Sequence, residues 1–374
     1  MKILFFYPEN PLEKSQGNNA RAFQLLQYFK NRKILVDFVP LESDLFSSRD
    51  LELLKHKNIV NKVLLLPNSK KSGFNYFFKV SLARFFSGLP KPFDRRRLKH
   101  QDVFNEILQD NNYDYILISY ACWVPLILNN NYLKGAKTIV DTHDFLTSQF
   151  KSRKDFNLGK FFKAEMTLLD SIDQVWSISL EEKYLFEQFI SKPVYLVPHI
   201  TQTQLITSKK TIDVLYVASN NMHNIIAINW FFENVYDMLK KDINITIVGK
   251  VNNHIDSYPN VQKISYAEDL TQLYGQSKIV ISPMLTGTGL KIKVAEALSF
   301  GIPVVCNTRG VDGLINKTEN GCLVTDSPQH FAENIHRLLE DEKFYNDISQ
   351  KAKSYHTNYL SENAIYAKLD SILN

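Results

Sequence analysis

Only three cysteines, Cys122, Cys306 and Cys322, occur among the 374 residues. Their odd number and the absence of a CxxC spacing argue against a disulfide framework and against a structural zinc site. Long hydrophobic runs are missing as well: the uncharged stretch from Tyr115 to Leu128 has 14 residues and contains Pro125, whereas a membrane-spanning helix needs about 20. We therefore expect reduced thiols, no metal site and no transmembrane helix.

The N-terminal segment has too short an apolar run for a signal peptide, since that run ends at Pro8 and Glu9. This predicts a cytoplasmic protein. The composition is that of a globular chain, because 44% of the residues are hydrophobic and glycine and proline number only 13 each. At about 150 residues per domain, the length predicts two or three domains.

Apolar, β-rich segments alternate with helical patterns along the chain, which is typical of βα units and parallel sheets. The strands predicted for a first sheet are Lys2–Phe6, Lys33–Val39, Val63–Leu66, Tyr115–Ser119, Lys137–Val140, Gln174–Ser177 and Val194–Val197. Those predicted for a second sheet are Val214–Ala218, Ile243–Val248, Val261–Ile264, Ile279–Ser282 and Pro303–Cys306. Helices are expected between them, for example over Asn224–Lys240 and Lys291–Phe300.

This pattern predicts an α/β protein with two Rossmann-like domains. The expected boundaries are 1–203 for the first domain, 204–354 for the second, and 355–374 for a C-terminal helix that packs back on the first domain. Ligands of open α/β sheets bind beyond the carboxyl ends of the strands. The natural site of a protein with two such sheets is the cleft between its domains.

Positive charge is concentrated in residues 70–100. This segment holds nine Lys or Arg and one acid, Asp94, a net charge of +8, whereas the whole chain has +5 and the remainder therefore −3. Aromatic residues alternate with the cations, which suits nucleic acid, an anionic membrane surface, or a helix with a core face and a solvated face. The candidate contact residues in this segment are Arg84, Arg95, Arg96 and Arg97.

The strongest local signal follows the predicted strand Ile279–Ser282. A Thr-Gly-Thr-Gly turn, residues 286–289, opens a helix, so the backbone N–H groups of Gly289, Leu290 and Lys291 are candidates to bind an anion such as a diphosphate. Glu296 lies inside that helix, where a carboxylate can accept two hydrogen bonds from a vicinal diol such as a ribose. The alternative is a plain turn in which Glu296 only pairs with Lys293.

The stretch from Gly287 to Val305, followed by residues 310–314 (Gly-Val-Asp-Gly-Leu), resembles the nucleotide-sugar site of retaining GT-B glycosyltransferases of family 4, glycosyl transferases group 1, of the bacterial surface-glycan type. In that family a Glu-x7-Glu pair spans the helix, and the second glutamate binds the ribose. Glu296 matches the second position, whereas Thr288 occupies the first.

The resemblance implies that a basic residue grips the diphosphate. Family members commonly place Arg and Lys after the first strand of the second domain, but here that loop, residues 219–224, has neither. Lys291 or Lys293, with Lys250 as a weaker candidate, would supply the charge. The donor-binding candidates are Gly17, Asn220, Lys250, Tyr266, Thr288, Gly289, Leu290 and Lys293.

Two positions of the first domain complete the expected site. The first loop resembles the glycine loop that faces the donor phosphates in this family, and Gly17, at the end of that loop, is the residue that matches it. His143 follows the strand that ends at Val140, and a histidine there can donate to a sugar hydroxyl or orient an acceptor. Its alternative role is to stabilise the loop through an aspartate. His143, Lys291 and Glu296 are the catalytic candidates.

The implied activity is transfer of a sugar from a nucleotide-diphosphate sugar to a hydroxyl of a glycan or lipid-linked glycan, with retention, without a metal or other cofactor. The expected partners are the nucleotide sugar, the acceptor and an anionic membrane surface at the inner face of the cell membrane. An epimerase of the same fold is the enzymatic alternative. A nucleic-acid-binding protein that uses residues 70–100 is a third hypothesis, against which the acidic remainder of the chain and the donor motif argue.

Overall fold

The computed structural model of the chain describes residues 1–13, 17–43, 46–69, 76–82, 84, 88–204, 208–267, 269–287 and 289–373. Two compact units are present. The first comprises Met1–Ile178 and Glu182–Leu196, and the second comprises Ser179–Glu181 and Val197–Asn374. Each unit is built on one parallel β-sheet, which confirms the α/β class expected from the sequence.

The first sheet has the strand order β3-β2-β1-β4-β5-β6-β7. Its strands are β1 (Lys2–Phe6), β2 (Leu35–Val39), β3 (Lys62–Val63), β4 (Tyr115–Ser119), β5 (Lys137–Asp141), β6 (Gln174–Ser177) and β7 (Val194–Leu196). The helices are α1 (Gly17–Asn31), α2 (Ser48–His56), α3 (His100–Gln109), α4 (Leu146–Gln149), α5 (Leu158–Asp170) and α6 (Leu180–Glu187), with short 3-10 turns at Lys91–Phe93, Ala121–Leu126 and Phe150–Ser152 and a π turn at Phe77–Leu82.

The second sheet has the order β10-β9-β8-β11-β12-β13. Its strands are β8 (Ile212–Val217), β9 (Ile245–Val248), β10 (Val261–Ile264), β11 (Ser277–Ser282), β12 (Val304–Cys306) and β13 (Cys322–Val324). The helices are α7 (Met222–Asn234), α8 (Thr271–Gln276), α9 (Ile292–Ser299), α10 (Pro328–Glu340), α11 (Glu342–Tyr359) and α12 (Glu362–Leu373), with 3-10 turns at Tyr236–Met238, Lys250–His254 and Thr308–Val311.

Hydrophobic runs explain why the central strands form and where they lie. All five residues of β4 are buried, as are all four of β9, because a parallel strand is covered on both faces. In each sheet the strand order reverses at the centre, between β1 and β4 in the first and between β8 and β11 in the second. Loops leave the carboxyl ends of these neighbouring strands in opposite directions, which opens a crevice for a ligand.

Some elements differ from the sequence prediction. The helix expected over Asn224–Lys240 ends at Asn234, and the single helix expected over Tyr355–Leu373 is interrupted between α11 and α12. At this break the N–H of Ser361 donates to the carbonyl of His356, and the Ser361 hydroxyl accepts from the N–H of Ala364, so that the serine begins α12. Strand β13 was not expected. Among the described residues, no helix is long and apolar enough to cross a membrane.

Candidate active site

The loop between β11 and α9 lies at the crevice of the second sheet. Gly289 has a φ of +76°, a left-handed conformation that favours glycine, and Lys291 is the N-cap residue of α9. Neither the N–H of Gly289 nor that of Leu290 donates to a backbone carbonyl of the described chain. The two N–H groups are therefore available to an anion beside the helix N-terminus. Thr288 lies outside the described residues.

Two neighbouring segments contact the β11–α9 loop. A Cβ on Gly313, which has a φ of +86°, would lie 2.6 Å from Leu290 Cα, so the 310–314 segment approaches the loop more closely than a side chain allows. On the other side, His223 Nδ1 lies 2.9 Å from Thr286 Oγ1. The nearly buried Lys291 turns inward, and its Nζ donates to the carbonyl of Gly289 at 2.9 Å.

Lys293, the second residue of α9, contacts neutral side chains. Its Nζ donates to Asn224 Oδ1 at 2.9 Å, lies 3.4 Å from the hydroxyl of Tyr216, and stands 4.4 Å from the centre of the Tyr216 ring. Burial, together with the positive charge of Lys291, lowers the pKa of Lys293 to about 7, although Glu296 opposes the shift. The amine is thus held in place without a paired carboxylate from the described residues.

Glu296, on the same helix, also has a neutral hydrogen-bond partner. Its Oε2 accepts a hydrogen bond of 2.7 Å from the hydroxyl of the buried Tyr274. Burial raises the pKa of Glu296, and the opposing effects of Tyr274 and Lys293 are smaller. The expected alternative, a simple ion pair with Lys293, does not describe this site, since the polar partner of each charged group is neutral.

The other donor candidates of the second unit lie on exposed loops. Asn220 follows β8, and its Oδ1 lies 2.8 Å from His254 Nε2. Gly249 follows β9, and a Cβ on it would lie 2.0 Å from the carbonyl oxygen of Ala218, so these two loops approach each other closely. Lys250 is exposed, and Tyr266 is 75% exposed.

His143 lies at the carboxyl edge of the first sheet, after β5. Its φ of +59° is rare for a residue other than glycine. Nε2 lies 3.0 Å from Asp141 Oδ2 and 3.1 Å from Ser119 Oγ, whereas the buried Nδ1 has no hydrogen-bond partner in the described part of the chain. Because an ionised carboxylate only accepts, Nε2 carries the proton, and in the neutral ring Nδ1 is an acceptor.

Asp141 is held in its ionised form by Arg21 of α1. The Arg21 Nε lies 3.0 Å and 3.1 Å from the two carboxylate oxygens, and Nη2 lies 2.5 Å from Oδ1. Burial alone would raise the pKa of Asp141, but Arg21 and His143 outweigh it and hold that pKa well below its usual range. The chain Arg21–Asp141–His143 thereby fixes the orientation of the imidazole.

Two tyrosine rings stack with the imidazole ring of His143. Tyr120 stacks on His143 with ring centres 4.4 Å apart, and Tyr7 stacks at 5.7 Å. The start of α1 completes this cluster: Tyr7 donates to Asn19 Oδ1 at 2.6 Å, and Tyr120 accepts from Asn18 Nδ2 at 2.9 Å. Gly17, the predicted phosphate-facing glycine, is the first residue of α1 and so lies beside the cluster.

The arginines of the 70–100 segment mostly have partners within the chain. Arg84 is buried and donates to the Asp94 carbonyl at 2.9 Å, and Arg96 makes a bidentate pair with the Asp94 carboxylate at 3.0 Å for each contact. Arg97 donates to Asn68 Oδ1 at 2.5 Å, whereas Arg95 is exposed. Residues 70–75, 83 and 85–87 of this segment lie outside the described residues.

Sequence reasoning missed Arg21, Asp141, Tyr120, Asn224 and Tyr274. Asp141 lies two residues before the predicted His143, and Arg21 lies four residues after the predicted Gly17, so both were close to a recognised signal. No group of three or more metal-ligating side chains occurs within the described ranges. The arrangement of side chains suits recognition of anions and hydroxyl groups.

Comparison with known proteins agrees with this chemistry. Residues 211–341, which include Asn224, Lys293 and Glu296, match the family model described as Glycosyl transferases group 1. An uncharacterized 44.6 kDa protein in the cps region of Klebsiella pneumoniae is 23% identical over 291 residues, 69% of this chain and 74% of that protein.

Solved structures resemble the whole chain. Anabaena HepE in complex with UDP-glucose has a TM-score of 0.68 and 15% identity, over 100% of this chain and 99% of its own. Sucrose-phosphate synthase from Thermosynechococcus elongatus has a TM-score of 0.74 and 14% identity, over 100% and 98%. A mutant of S. aureus TarM in complex with fondaparinux, alpha-GlcNAc-glycerol and UDP has 0.72 and 14%, over 100% and 99%.

These likenesses confirm the GT-B fold. Together with the family match in the second unit, they support a glycosyltransferase of that fold.

Proposed function

We propose that the protein transfers a sugar, a hexose or a related one, from a nucleotide-diphosphate sugar to a hydroxyl of a glycan or lipid-linked glycan. The observation that carries this proposal is that Lys293 and Glu296 each contact a neutral partner on α9, the helix that follows the loop with the two available backbone N–H groups. A diphosphate would supply the negative charge that Lys293 lacks, and a ribose would supply hydroxyl donors to Glu296.

The same residues would stabilise the transition state. As the bond from the sugar to the diphosphate breaks, negative charge develops on the leaving phosphate, and preorganised N–H groups and a lysine stabilise that charge electrostatically. In the retaining reaction that we propose, the acceptor oxygen bonds to the same face of the sugar, and the acceptor proton passes to the leaving phosphate. No metal is needed for this step.

His143 would contact the bound carbohydrate. Its unpartnered Nδ1 would accept a hydrogen bond from a hydroxyl of the bound carbohydrate, since Asp141 and Arg21 keep the proton on Nε2. A buried acceptor that only a hydroxyl donor satisfies discriminates strongly against a substrate without that group.

Two similarities support the choice of donor and pathway. Anabaena HepE was solved with UDP-glucose, and S. aureus TarM with UDP, so a uridine diphosphate sugar is the first donor to test. The Klebsiella pneumoniae relative lies in a cps region, which favours capsule or other surface-polysaccharide synthesis as the pathway.

The test is a thermal-unfolding screen with UDP, GDP, ADP, CMP and their common sugar conjugates. A ligand at a hundred times its dissociation constant contributes about 2.7 kcal/mol, so the cognate diphosphate should raise the unfolding temperature measurably. Glu296→Ala should reduce the shift, whereas Glu333→Ala, on the exposed face of α10, should retain it. Donor conjugates that bind would then be assayed for transfer to glycan acceptors.

If none of these nucleotides raises the unfolding temperature of the wild-type protein, the proposed donor site is rejected. If a nucleotide sugar binds and is converted to an isomer in the absence of an acceptor, the reaction is an isomerisation rather than a transfer.

A further inference from the structure

A second basic segment, which the charge count over residues 70–100 does not include, forms an exposed surface on the first unit. Residues 151–160 are exposed except for the half-buried Phe156, and they lead into the first turn of α5. The exposed cations from Lys151 to Lys163 are Lys151, Arg153, Lys154, Lys160 and Lys163. We call residues 151–163 together with Phe189 the α5 surface.

Apolar side chains are exposed in the same place. Leu158, the first residue of α5, is 63% exposed, and Phe189 is 57% exposed. Phe162 joins them, because it lies one helical turn after Leu158 and its ring centre is 4.8 Å from that of Phe189. Phe162 thus links the exposed Leu158 and Phe189, and an apolar patch rimmed by charged side chains marks a site of interaction with a protein or a membrane.

The charges of the α5 surface are largely uncompensated. Asp155 is the only acid between Lys151 and Lys163, so the segment has a net charge of +4, and Asp155 pairs with Arg153 at 2.8 Å. The four lysines have no ion-pair partner within the described ranges. Glu165, on the same helix, is buried and accepts the N–H groups of Leu146 and Thr147, so it does not neutralise the surface.

The composition of the surface identifies its partner. Protein interfaces are depleted in lysine and enriched in arginine and tyrosine, but four of these five cations are lysines. Lysines with flexible stems around leucine and phenylalanine are instead typical of segments that lie in the headgroup region of an anionic bilayer, where the apolar side chains reach the acyl boundary.

We infer that the α5 surface docks the first unit on an anionic membrane. Lys151, Lys154, Lys160 and Lys163 contact lipid phosphates, while Leu158 and Phe189 enter the interface. The inference does not depend on the proposed transferase activity, since it rests only on exposure, charge and composition.

The test measures cosedimentation of the full chain with vesicles. Wild-type protein should bind vesicles of phosphatidylglycerol mixed with phosphatidylcholine, release them at high salt, and not bind pure phosphatidylcholine. Lys160→Glu with Lys163→Glu should weaken binding about 25-fold or more, because each cation contributes about fivefold. Leu158→Gln should weaken it to a smaller extent and leave the salt dependence intact.

The matched control reverses two exposed lysines of the second unit, Lys209→Glu with Lys343→Glu, which changes the net charge equally. That variant should bind the anionic vesicles as the wild type does. The inference is overturned if the wild type fails to bind them, if the α5 variant binds as the wild type does, or if the control loses binding to the same extent.

Discussion

In the first unit Asp141 lies buried between Arg21 and His143, whereas in the second unit Lys293 and Glu296 face the neutral side chains of Asn224 and Tyr274. The first cluster lies at the carboxyl edge of its sheet and the second on the helices that flank β11, and the electrostatics of the two clusters differ. The first cluster is charged and paired without any ligand, while burial pushes both groups of the second towards their neutral forms. The first cluster therefore fixes the orientation of a histidine through paired charges, whereas burial in the second cluster disfavours the charged forms of Lys293 and Glu296 in the absence of a ligand.

Removing the cation of the first cluster should have the largest effect on the free energy of unfolding. Arg21→Ala leaves Asp141 buried without its guanidinium, which should cost about 3–5 kcal/mol in urea denaturation. Arg153→Ala is the matched control, because it breaks an exposed pair with Asp155 and should leave the midpoint of urea denaturation nearly unchanged. Equal losses in the two variants would contradict the distinction between the clusters.

Removing the cation of the second cluster should affect binding more than folding. Lys293→Met should change the free energy of unfolding by about 1 kcal/mol, because burial already disfavours the charge and one hydrogen bond to Asn224 is lost. Affinity for the nucleoside diphosphate should fall about 10- to 100-fold, the loss of one charge-assisted hydrogen bond. Titration calorimetry on Lys293→Met and on Lys250→Met, where the exposed alternative candidate is removed, should show that only the first variant loses affinity.

The hydroxyl of Tyr274 should contribute less than Lys293 does. Tyr274→Phe removes the donor to Glu296, which raises the pKa of that carboxyl further and should weaken nucleotide binding several-fold, with about 1–2 kcal/mol lost from folding. Tyr236→Phe also removes a hydroxyl that donates to a side-chain oxygen, that of Asn260, and is the control. Nucleotide binding by the control should match the wild type, and a loss there would contradict a specific role for Tyr274.

The sequence was informative where a signal is local. Strand β1 and strand β4 have the predicted bounds, and the β11–α9 loop lies at the centre of its sheet, because hydrophobic runs and glycine turns are read over a few residues. Strand β13 has three half-buried or exposed residues at a sheet edge, so it carries no such run. The predicted domain boundaries and the packing of the C-terminal helix on the first domain stay predictions.

Pairings between distant residues could not be read in this way. Arg21 and Asp141 are 120 residues apart, and Asn224 and Lys293 are 69 apart, so only the strand order brings them together. The charge count of residues 70–100 likewise could not show that Arg84 and Arg96 both contact Asp94. Residues 151–163 of the α5 surface have a net charge of +4, which is smaller than the +8 of residues 70–100, so a count of charges along the sequence does not single them out.

We expect Lys293 to become charged when a diphosphate binds. Because its pKa is about 7 in the unliganded protein, Lys293 is mostly neutral at pH 8, and an adjacent phosphate raises that pKa. Binding should then take up a proton, and affinity should fall as the pH rises from about 7 towards 9, where charging the amine becomes costlier. Below about pH 7 the amine is already protonated, so this contribution no longer changes.

The most direct measurement is calorimetric titration of the nucleoside diphosphate at pH 8, in buffers with different heats of ionisation, on the wild type and on Lys293→Met. The wild-type protein should take up protons when the nucleotide binds, and Lys293→Met should lack the proton uptake that is due to Lys293. Equal proton uptake by both proteins, or binding by the wild type without uptake, would contradict it.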